Sequence, residues 1–151
     1  MYHSLSFCKW IDTHLHLQFA SKNTKLILKQ MKMSKNILVT GASSGFGLLI
    51  ANELHRKGYN VIGTSRNPEK YVSKFPFKMI ALDLDSEQSI STLSERIFKE
   101  VKQLDVLINN AGFLVTGIAE EIPIELGRKQ FETNFWGTIK VTNAVLPHFR
   151  K

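Results

Sequence analysis

Three glycines stand close together in the segment TGASSGFG, residues 40–47. Gly41 suits a sharp turn, Gly45 lets the backbone approach a ligand without a Cβ in the way, and Gly47 allows a helix to lie close to a sheet. The N–H groups at the start of such a helix attract an anion, and Ser43 and Ser44 offer further hydrogen bonds. The spacing predicts a site for the diphosphate of a dinucleotide. A tight strand-to-helix turn that binds nothing is the alternative.

The residues around this turn have the pattern of a strand followed by a helix. NILVT, residues 36–40, is a short apolar run typical of a buried strand. A helix is predicted over residues 45–57, with Gly58 at its end, because large apolar residues recur at helical spacing: Phe46, Leu49, Ile50 and Leu54. Residues 59–65 and 78–84 predict the second and third strands. The polar, proline-broken segment between them allows at most a short helix.

The alternation of strands and helices continues in the second half of the chain. Asp85 is predicted to cap a helix of about four turns, with Gln88 three residues later as in a capping box. Its core stripe is formed by Ile90, Leu93, Ile97 and Val101. Residues 104–112 predict the fourth strand with its exit loop, and residues 124–149 a long helical segment that bends near Gly137, before or at Pro147. The pattern predicts an α/β fold, a doubly wound parallel sheet covered on both faces.

A second motif, NNAG at residues 109–112, follows the fourth predicted strand. Together with TGASSGFG, it resembles the main subclass of the short-chain dehydrogenase/reductase family, whose fold is of the Rossmann type. The resemblance covers residues 36–151. NNAG is its more specific part, because it lies at the end of the fourth strand, at the distance along the chain that is usual in the family. It implies a dinucleotide-binding domain that holds its coenzyme through Gly41, Ser43, Ser44, Gly45, Phe46, Gly47, Arg66, Asp83, Leu84, Asn110, Ala111 and Gly112.

The resemblance also implies individual roles. An acidic residue at the end of the second strand selects NAD in the family, whereas here Ser65 stands at that position and Arg66 follows. A guanidinium can bind a 2′-phosphate, so NADP(H) is expected in preference to NAD(H), unless Arg66 is only a solvated loop residue. Asp83 matches the aspartate that contacts adenine, with Asp85 as a competing candidate. Asn134, in TNFWGT, matches the asparagine that holds a water molecule in the family's proton relay.

The catalytic pattern of the family is not found in the chain. The family transfers a hydride between nicotinamide and a carbonyl or alcohol carbon, using a serine and the pair Tyr-x-x-x-Lys. None of Tyr2, Tyr59 and Tyr71 has a lysine four residues later. We therefore expect a sheet truncated after the fourth strand and the following long helix, and a fragment that is inactive without its full-length parent. A non-catalytic NADP-binding or interaction module, and a defective gene product, are the alternatives.

Truncation at that point has two expected consequences. DVLIN, residues 105–109, would form an exposed apolar edge of the sheet. The helices over residues 124–150 form the main dimer interface in the family, so the resemblance implies a homo-oligomer. The partners expected are a nicotinamide dinucleotide and a small carbonyl or alcohol substrate.

The formal charge of +7 is concentrated at the amino end. Residues 1–35 contain six lysines against Asp12 alone, and the remaining 116 residues carry a net charge of only +2. A protein that binds nucleic acid should carry its basic excess on the folded domain, so nucleic acid is not an expected partner. Residues 1–35 are interpreted as a loosely ordered or disordered leader. No apolar run approaches the ~18 residues of a membrane-spanning helix.

The histidines and the cysteine restrict metal and disulfide chemistry. His14 and His16 form a His-x-His pair, but a metal site needs more ligands, and His55 and His148 are the only histidines that follow the leader. No metal site is therefore predicted. The single cysteine, Cys8, cannot form a disulfide within the chain, which fits a cytoplasmic protein.

Overall fold

The computed structural model describes residues 35–150, so the leader up to Ser34, with Cys8, His14 and His16, lies outside the described residues. Strands and helices alternate along the described chain, as predicted. The elements are β1 (Asn36–Val39), α1 (Gly45–Arg56), β2 (Asn60–Ser65), a 3-10 turn (Pro68–Tyr71), β3 (Lys78–Ala81), α2 (Glu87–Ser91), α3 (Leu93–Glu100), β4 (Val106–Ile108), α4 (Ile124–Phe131), a π-helical turn (Glu132–Gly137) and α5 (Thr138–Phe149).

The four strands form one parallel sheet in the order β3-β2-β1-β4. Leu38 in β1 lies opposite Ile62 on one side and Leu107 on the other, so β1 is a central strand. This arrangement confirms the prediction of a Rossmann-type parallel sheet. The β1–β2 connection runs through α1, which brings the glycine turn to the carboxyl end of β1.

Side chains alternate between the two faces of the sheet, and each face has its own core. Ile37, Val39 and Val61 pack with Ala51 of α1 on one face. Leu38 and Ile62 pack on the other face, together with residues of α2, α3 and α5. The predicted stripe on the second face is correct, since all four of its members are buried: Ile90, Leu93, Ile97 and Val101.

Helix α1 begins and ends almost where predicted, but its large apolar residues do not all face the core. Phe46 is 79% exposed and Leu49 is 65% exposed, whereas Gly47 and Ala51 are buried. Small residues let the helix backbone approach the sheet closely, so they mark the buried face. Gly58 has a positive φ of 86° directly after the helix, which confirms its role at the helix end.

The predicted cap at Asp85 was wrong. Ser86 is the N-cap of α2, and its Oγ accepts a hydrogen bond from the Ser89 N–H at 3.2 Å. Asp85 instead accepts a hydrogen bond from the Thr133 hydroxyl, so a tertiary contact uses the carboxylate that the sequence assigned to the cap. The predicted helix of four turns is also divided, because α2 ends at Ser91 and α3 begins at Leu93.

The long carboxyl-terminal helical segment is continuous but changes its winding. The π-helical turn Glu132–Gly137 separates α4 from α5 at the place where a bend was predicted, and the bend itself stays a prediction. Gly137 is buried, and an added Cβ would lie 3.0 Å from the Leu84 Cβ. Pro147 is accommodated inside α5.

Strand β4 lies at one edge of the described sheet, where the sequence predicted an apolar edge. Its three side chains, Val106, Leu107 and Ile108, are half-buried rather than fully exposed. Between residues 35 and 150, no helix has the length and apolar character needed to cross a membrane.

Candidate functional site

The glycine turn after β1 has the conformation that its sequence predicts. Gly41 and Gly45 have φ angles of 66° and 54°, in the left-handed region that favours glycine. A Cβ on Gly47 would overlap with the Gly41 carbonyl oxygen and the Asn110 side chain, so only glycine fits there. A Cβ on Gly45, in contrast, would meet no heavy atom within 4 Å. The backbone at Gly45 therefore faces open space.

Two threonines and one asparagine hold the glycine turn in place. The buried Thr40 Oγ1 accepts hydrogen bonds from the N–H groups of Asn110 and Ala111, both at 2.9 Å. The Asn110 Nδ2 donates to the carbonyls of Thr40 and Gly41, at 2.9 and 3.3 Å. The Gly41 N–H donates to the Thr64 hydroxyl at 3.2 Å. The NNAG segment is thus fastened directly to the glycine turn.

The start of α1 has free capacity for an anion. The N-cap Ser44 is extended, its side chain makes no capping hydrogen bond, and the first turn contains no acidic residue. The first N–H groups of a helix have no partner within the helix, and the helix dipole adds partial positive charge at this end. This helix start can therefore bind a diphosphate through its backbone.

A cleft of about 690 Å³ opens at this end of the sheet, within the range of about 300–1,000 Å³ that ligand pockets occupy. All predicted coenzyme-binding residues except Gly47 line it: Gly41, Ser43, Ser44, Gly45, Phe46, Arg66, Asp83, Leu84, Asn110, Ala111 and Gly112. Gly47 lies beneath the turn, where it allows close packing. The fold thus brings residues from four separate segments to one cavity.

Arg66 lies on the cleft wall that follows β2. Its side chain is exposed and forms no ion pair with any described residue. The neighbouring Ser65 hydroxyl accepts a hydrogen bond from the Asn67 N–H at 3.2 Å, which shapes the loop. The guanidinium can therefore bind a phosphate at the cleft without first breaking an internal pair.

Asp83 and Asp85 both line the cleft, but they differ in what they bind. Asp83 Oδ1 accepts from the Asp85 N–H at 3.2 Å, and the Asp83 N–H donates to the Ser89 hydroxyl at 2.9 Å. Asp85 binds the buried Thr133 of the π-helical turn. The loop after β3 is thus fixed at both aspartates, and each carboxylate accepts one hydrogen bond.

The side chain of Asn134 pairs with the backbone of Phe113. Its Oδ1 accepts from the Phe113 N–H at 3.0 Å, and its Nδ2 donates to the Phe113 carbonyl at 2.7 Å. The Asn134 carbonyl accepts from the Thr138 hydroxyl at 2.8 Å. The two bonds to Phe113 anchor the loop after NNAG to the π-helical turn, and a role of Asn134 in holding water stays a prediction.

Other residues of the cleft had no assigned role in the sequence analysis. They are Thr64, Asn67, Tyr71, Leu82, Phe113, Leu126, Lys129 and Thr133, and they lie beside Ser65 and Asp85, which the family resemblance had already brought into consideration. One face of the helical segment carries Leu126, Lys129 and Thr133, at spacings of three and four residues. This spacing is the one sequence signal that could have grouped them. No cluster of three or more His, Cys, Asp or Glu side chains suited to a metal occurs in residues 35–150.

Comparison with known proteins gives consistent matches. The family profile described as short chain dehydrogenase matches residues 35–151. The uncharacterized oxidoreductase YusZ of Bacillus subtilis is 44% identical over 130 residues, 79% of this chain and 46% of the relative. The 3-ketodihydrosphingosine reductase of Bacteroides thetaiotaomicron is 42% identical over 115 residues, 76% of this chain and 42% of the relative. The Pseudomonas aeruginosa RhlG/NADP active-site complex has a TM-score of 0.70 at 28% identity, over 78% of this chain and 49% of that one. The chain therefore spans about half the length of the curated relatives it matches.

Proposed function

The chain belongs to the short-chain dehydrogenase family, and on this premise we propose that it is the coenzyme-binding part of an NADP(H)-dependent oxidoreductase. The reaction would interconvert a carbonyl and an alcohol on a small molecule. The observation that carries this proposal is the cleft above the glycine turn, which eleven of the twelve predicted coenzyme residues line. Solved relatives with NADP bound support the choice of a nicotinamide dinucleotide.

The residues of the cleft fit such a coenzyme. The open space at Gly45 and the unused N–H groups at the start of α1 suit a diphosphate. The exposed guanidinium of Arg66 suits a 2′-phosphate, and the remaining acceptor capacity of Asp83 suits the adenine amine. When bound, the coenzyme would supply or accept the hydride.

The protein's own residues hold and orient the groups that would contact the coenzyme. Asn110 fixes the glycine turn against the NNAG segment, so the backbone donors keep their positions before a ligand arrives. Asn134 fixes the loop at Phe113, beside the end of the cleft that NNAG forms. We propose that this end receives the nicotinamide, with Asn134 near the proton pathway.

We further propose that these 151 residues bind NADP(H) without turnover. The supporting observation is that no tyrosine in the chain has a lysine four residues later, and loss of a positioned general acid lowers a rate by about 10²- to 10⁴-fold. A non-catalytic coenzyme-binding or interaction module would also show no turnover. Absorbance at 340 nm with NADPH and a panel of ketones and aldehydes would detect any turnover.

We also propose a homo-oligomer formed through residues 124–150. The supporting feature is the exposed apolar face of this helical segment, which includes Phe131, Phe135 and Trp136. A cytoplasmic location is proposed from Cys8 as the only cysteine.

The coenzyme proposal is tested by calorimetric titration of the purified chain with NADPH and NADH. The variant Arg66→Ala should weaken NADPH binding by about 10- to 100-fold, because a hydrogen bond to a charged group is worth about 1.5–3 kcal/mol. Its NADH affinity should hardly change. Arg128→Ala is the matched control, because Arg128 is an exposed arginine of α4 that does not line the cleft. A folded wild-type protein that binds neither coenzyme would refute the proposal.

A further inference from the structure

A tyrosine stands on the same cleft wall as Arg66. Tyr71 ends the 3-10 turn Pro68–Tyr71, and it lines the cleft together with Ser65, Arg66 and Asn67. We infer that the Tyr71 hydroxyl is a second specificity-determining group, one that donates a hydrogen bond to the 2′-phosphate of the coenzyme. The inference rests on the proposed NADP(H) binding and extends it to a residue outside the recognised motifs.

The position of Tyr71 is fixed by an aromatic ladder that begins in the core. The Tyr71 ring stacks on Phe75 with a centroid distance of 5.4 Å, and Phe75 stacks on Phe77 at the same distance. Phe77 is buried beneath β2, where a Cβ on Gly63 would lie 3.0 Å from its ring. The chain reverses between the first two rings at Ser73, which has a positive φ of 62°. Tyr71 is therefore held by the core and not by the loop alone.

The aromatic ladder involves the ring of Tyr71, and the hydroxyl takes no part in it. Among residues 35–150, the Tyr71 hydroxyl forms no hydrogen bond, and the side chain is only half-buried. A phenol hydroxyl can donate one hydrogen bond and accept others, and a phosphate oxygen is a strong acceptor. The hydroxyl is therefore a polar group on a ligand cleft that the protein itself does not use.

The segment that carries Tyr71 has a net positive charge, which favours a phosphate monoester. Residues 66–74 contain Arg66, Lys70 and Lys74 against Glu69 alone. The Lys74 ammonium lies 5.8 Å from the Tyr71 ring centroid, within the range of a cation–π contact. Arg66 lines the cleft, and the segment as a whole has a net charge of +2, so a dianionic 2′-phosphate beside Tyr71 would be attracted, whereas the ribose hydroxyl of NAD(H) would gain little.

The test compares binding of two coenzymes by Tyr71→Phe, which removes the hydroxyl and keeps the ring in the ladder. Calorimetric titration of the chain should show NADPH binding weakened about tenfold and NADH binding unchanged. Adenosine 2′,5′-bisphosphate and adenosine 5′-phosphate should repeat this contrast, since they differ only in the 2′-phosphate. Tyr59→Phe is the matched control, because Tyr59 lies outside the cleft lining. Thermal unfolding without ligand establishes that both variants fold.

Each outcome of these binding measurements either supports or overturns the role of Tyr71. Equal losses for NADPH and NADH would overturn the inference, because the tyrosine would then only shape the wall. Unchanged NADPH affinity in Tyr71→Phe would overturn it as well, while tight NADPH binding by the wild type would leave the proposed function intact. Failure of the wild type to bind either coenzyme would overturn both proposals. If Tyr71→Phe unfolds, Tyr71→His, which keeps a ring and a donor, should retain more of the NADPH preference than Tyr71→Leu, and equal loss in both variants would overturn the inference.

Discussion

Gly45 and Gly58 lie just inside the start and just beyond the end of α1, and they allow a matched pair of substitutions. Both have positive φ angles, 54° and 86°, and an added Cβ at either would meet no heavy atom within 4 Å. Only Gly45 lines the cleft. Alanine in left-handed backbone costs about 1–2 kcal/mol, so each variant should lose a similar part of its free energy of unfolding. A loss of about 1 kcal/mol lowers the melting temperature of a domain of this size by about 3–5 °C.

The two variants should differ in coenzyme affinity. A methyl group on Gly45 would fill the space through which a diphosphate approaches the backbone, and carbon contacts require about 3.5–4 Å. An N–H hydrogen bond to a phosphate oxygen, which needs about 2.9 Å, would then be lost or lengthened. Losing one such bond, worth about 1.5–3 kcal/mol, should weaken NADPH binding by about 10- to 100-fold in Gly45→Ala. Gly58→Ala should bind as the wild type does.

Thermal unfolding without ligand and calorimetric titration with NADPH measure the two effects separately. If Gly45→Ala binds NADPH as tightly as Gly58→Ala does, the diphosphate does not lie against this turn and the reasoning fails. If both variants lose affinity equally, the loss comes from the strained helix and not from the occupied space. The geometry of the glycine turn would then be structural.

Two further predictions follow from single contacts. Thr40→Val should lower the free energy of unfolding by about 2–4 kcal/mol, because it leaves the N–H groups of Asn110 and Ala111 without their acceptor. Chemical denaturation would measure this loss. A loss below about 0.5 kcal/mol would contradict the two hydrogen bonds to Thr40. The hydrogen bond from Arg56 lowers the pKa of Glu53 from 4.5 to about 2, so any stability this carboxylate adds is present above pH 4.5 and disappears as the pH falls through about 2. Carboxyl NMR titration should show that low midpoint in the wild type and a clearly higher one in Arg56→Ala, and an unchanged midpoint would refute the pairing.

The sequence predicted the order of elements and the position of the cleft, because both depend on local patterns. The run at β1, the glycines after it and NNAG each mark a strand end, and parallel strands bring their carboxyl ends to one edge. The strand ends themselves were less accurate: β3 ends at Ala81 and not at residue 84, and β4 covers only Val106–Ile108. The end of β3 is set by backbone pairing, because its partner β2 ends at Ser65 opposite Ala81, although Leu82 and Leu84 beyond it are still buried.

Contacts between distant segments were not predictable from local pattern. Asp85 and Ser86 are both good capping residues, and only the contact with Thr133 decides which one caps α2. Hydrophobic spacing also favoured Phe46 for the buried face of α1, whereas the small Ala51 faces the sheet. Tyr71 gave no signal, since its place on the cleft depends on a ladder that ends in the core.

The π-helical turn Glu132–Gly137 contains one residue more than an α-helix needs for the same rise. Because each α-helical residue turns the chain by about 100°, removal of a single residue here would rotate α4 by roughly that angle about its axis. Leu126 and Lys129 would then leave the cleft, while α5 kept its buried Val141 and Val145. The extra residue therefore sets which face of α4 lines the cleft, independently of how α5 packs on the sheet.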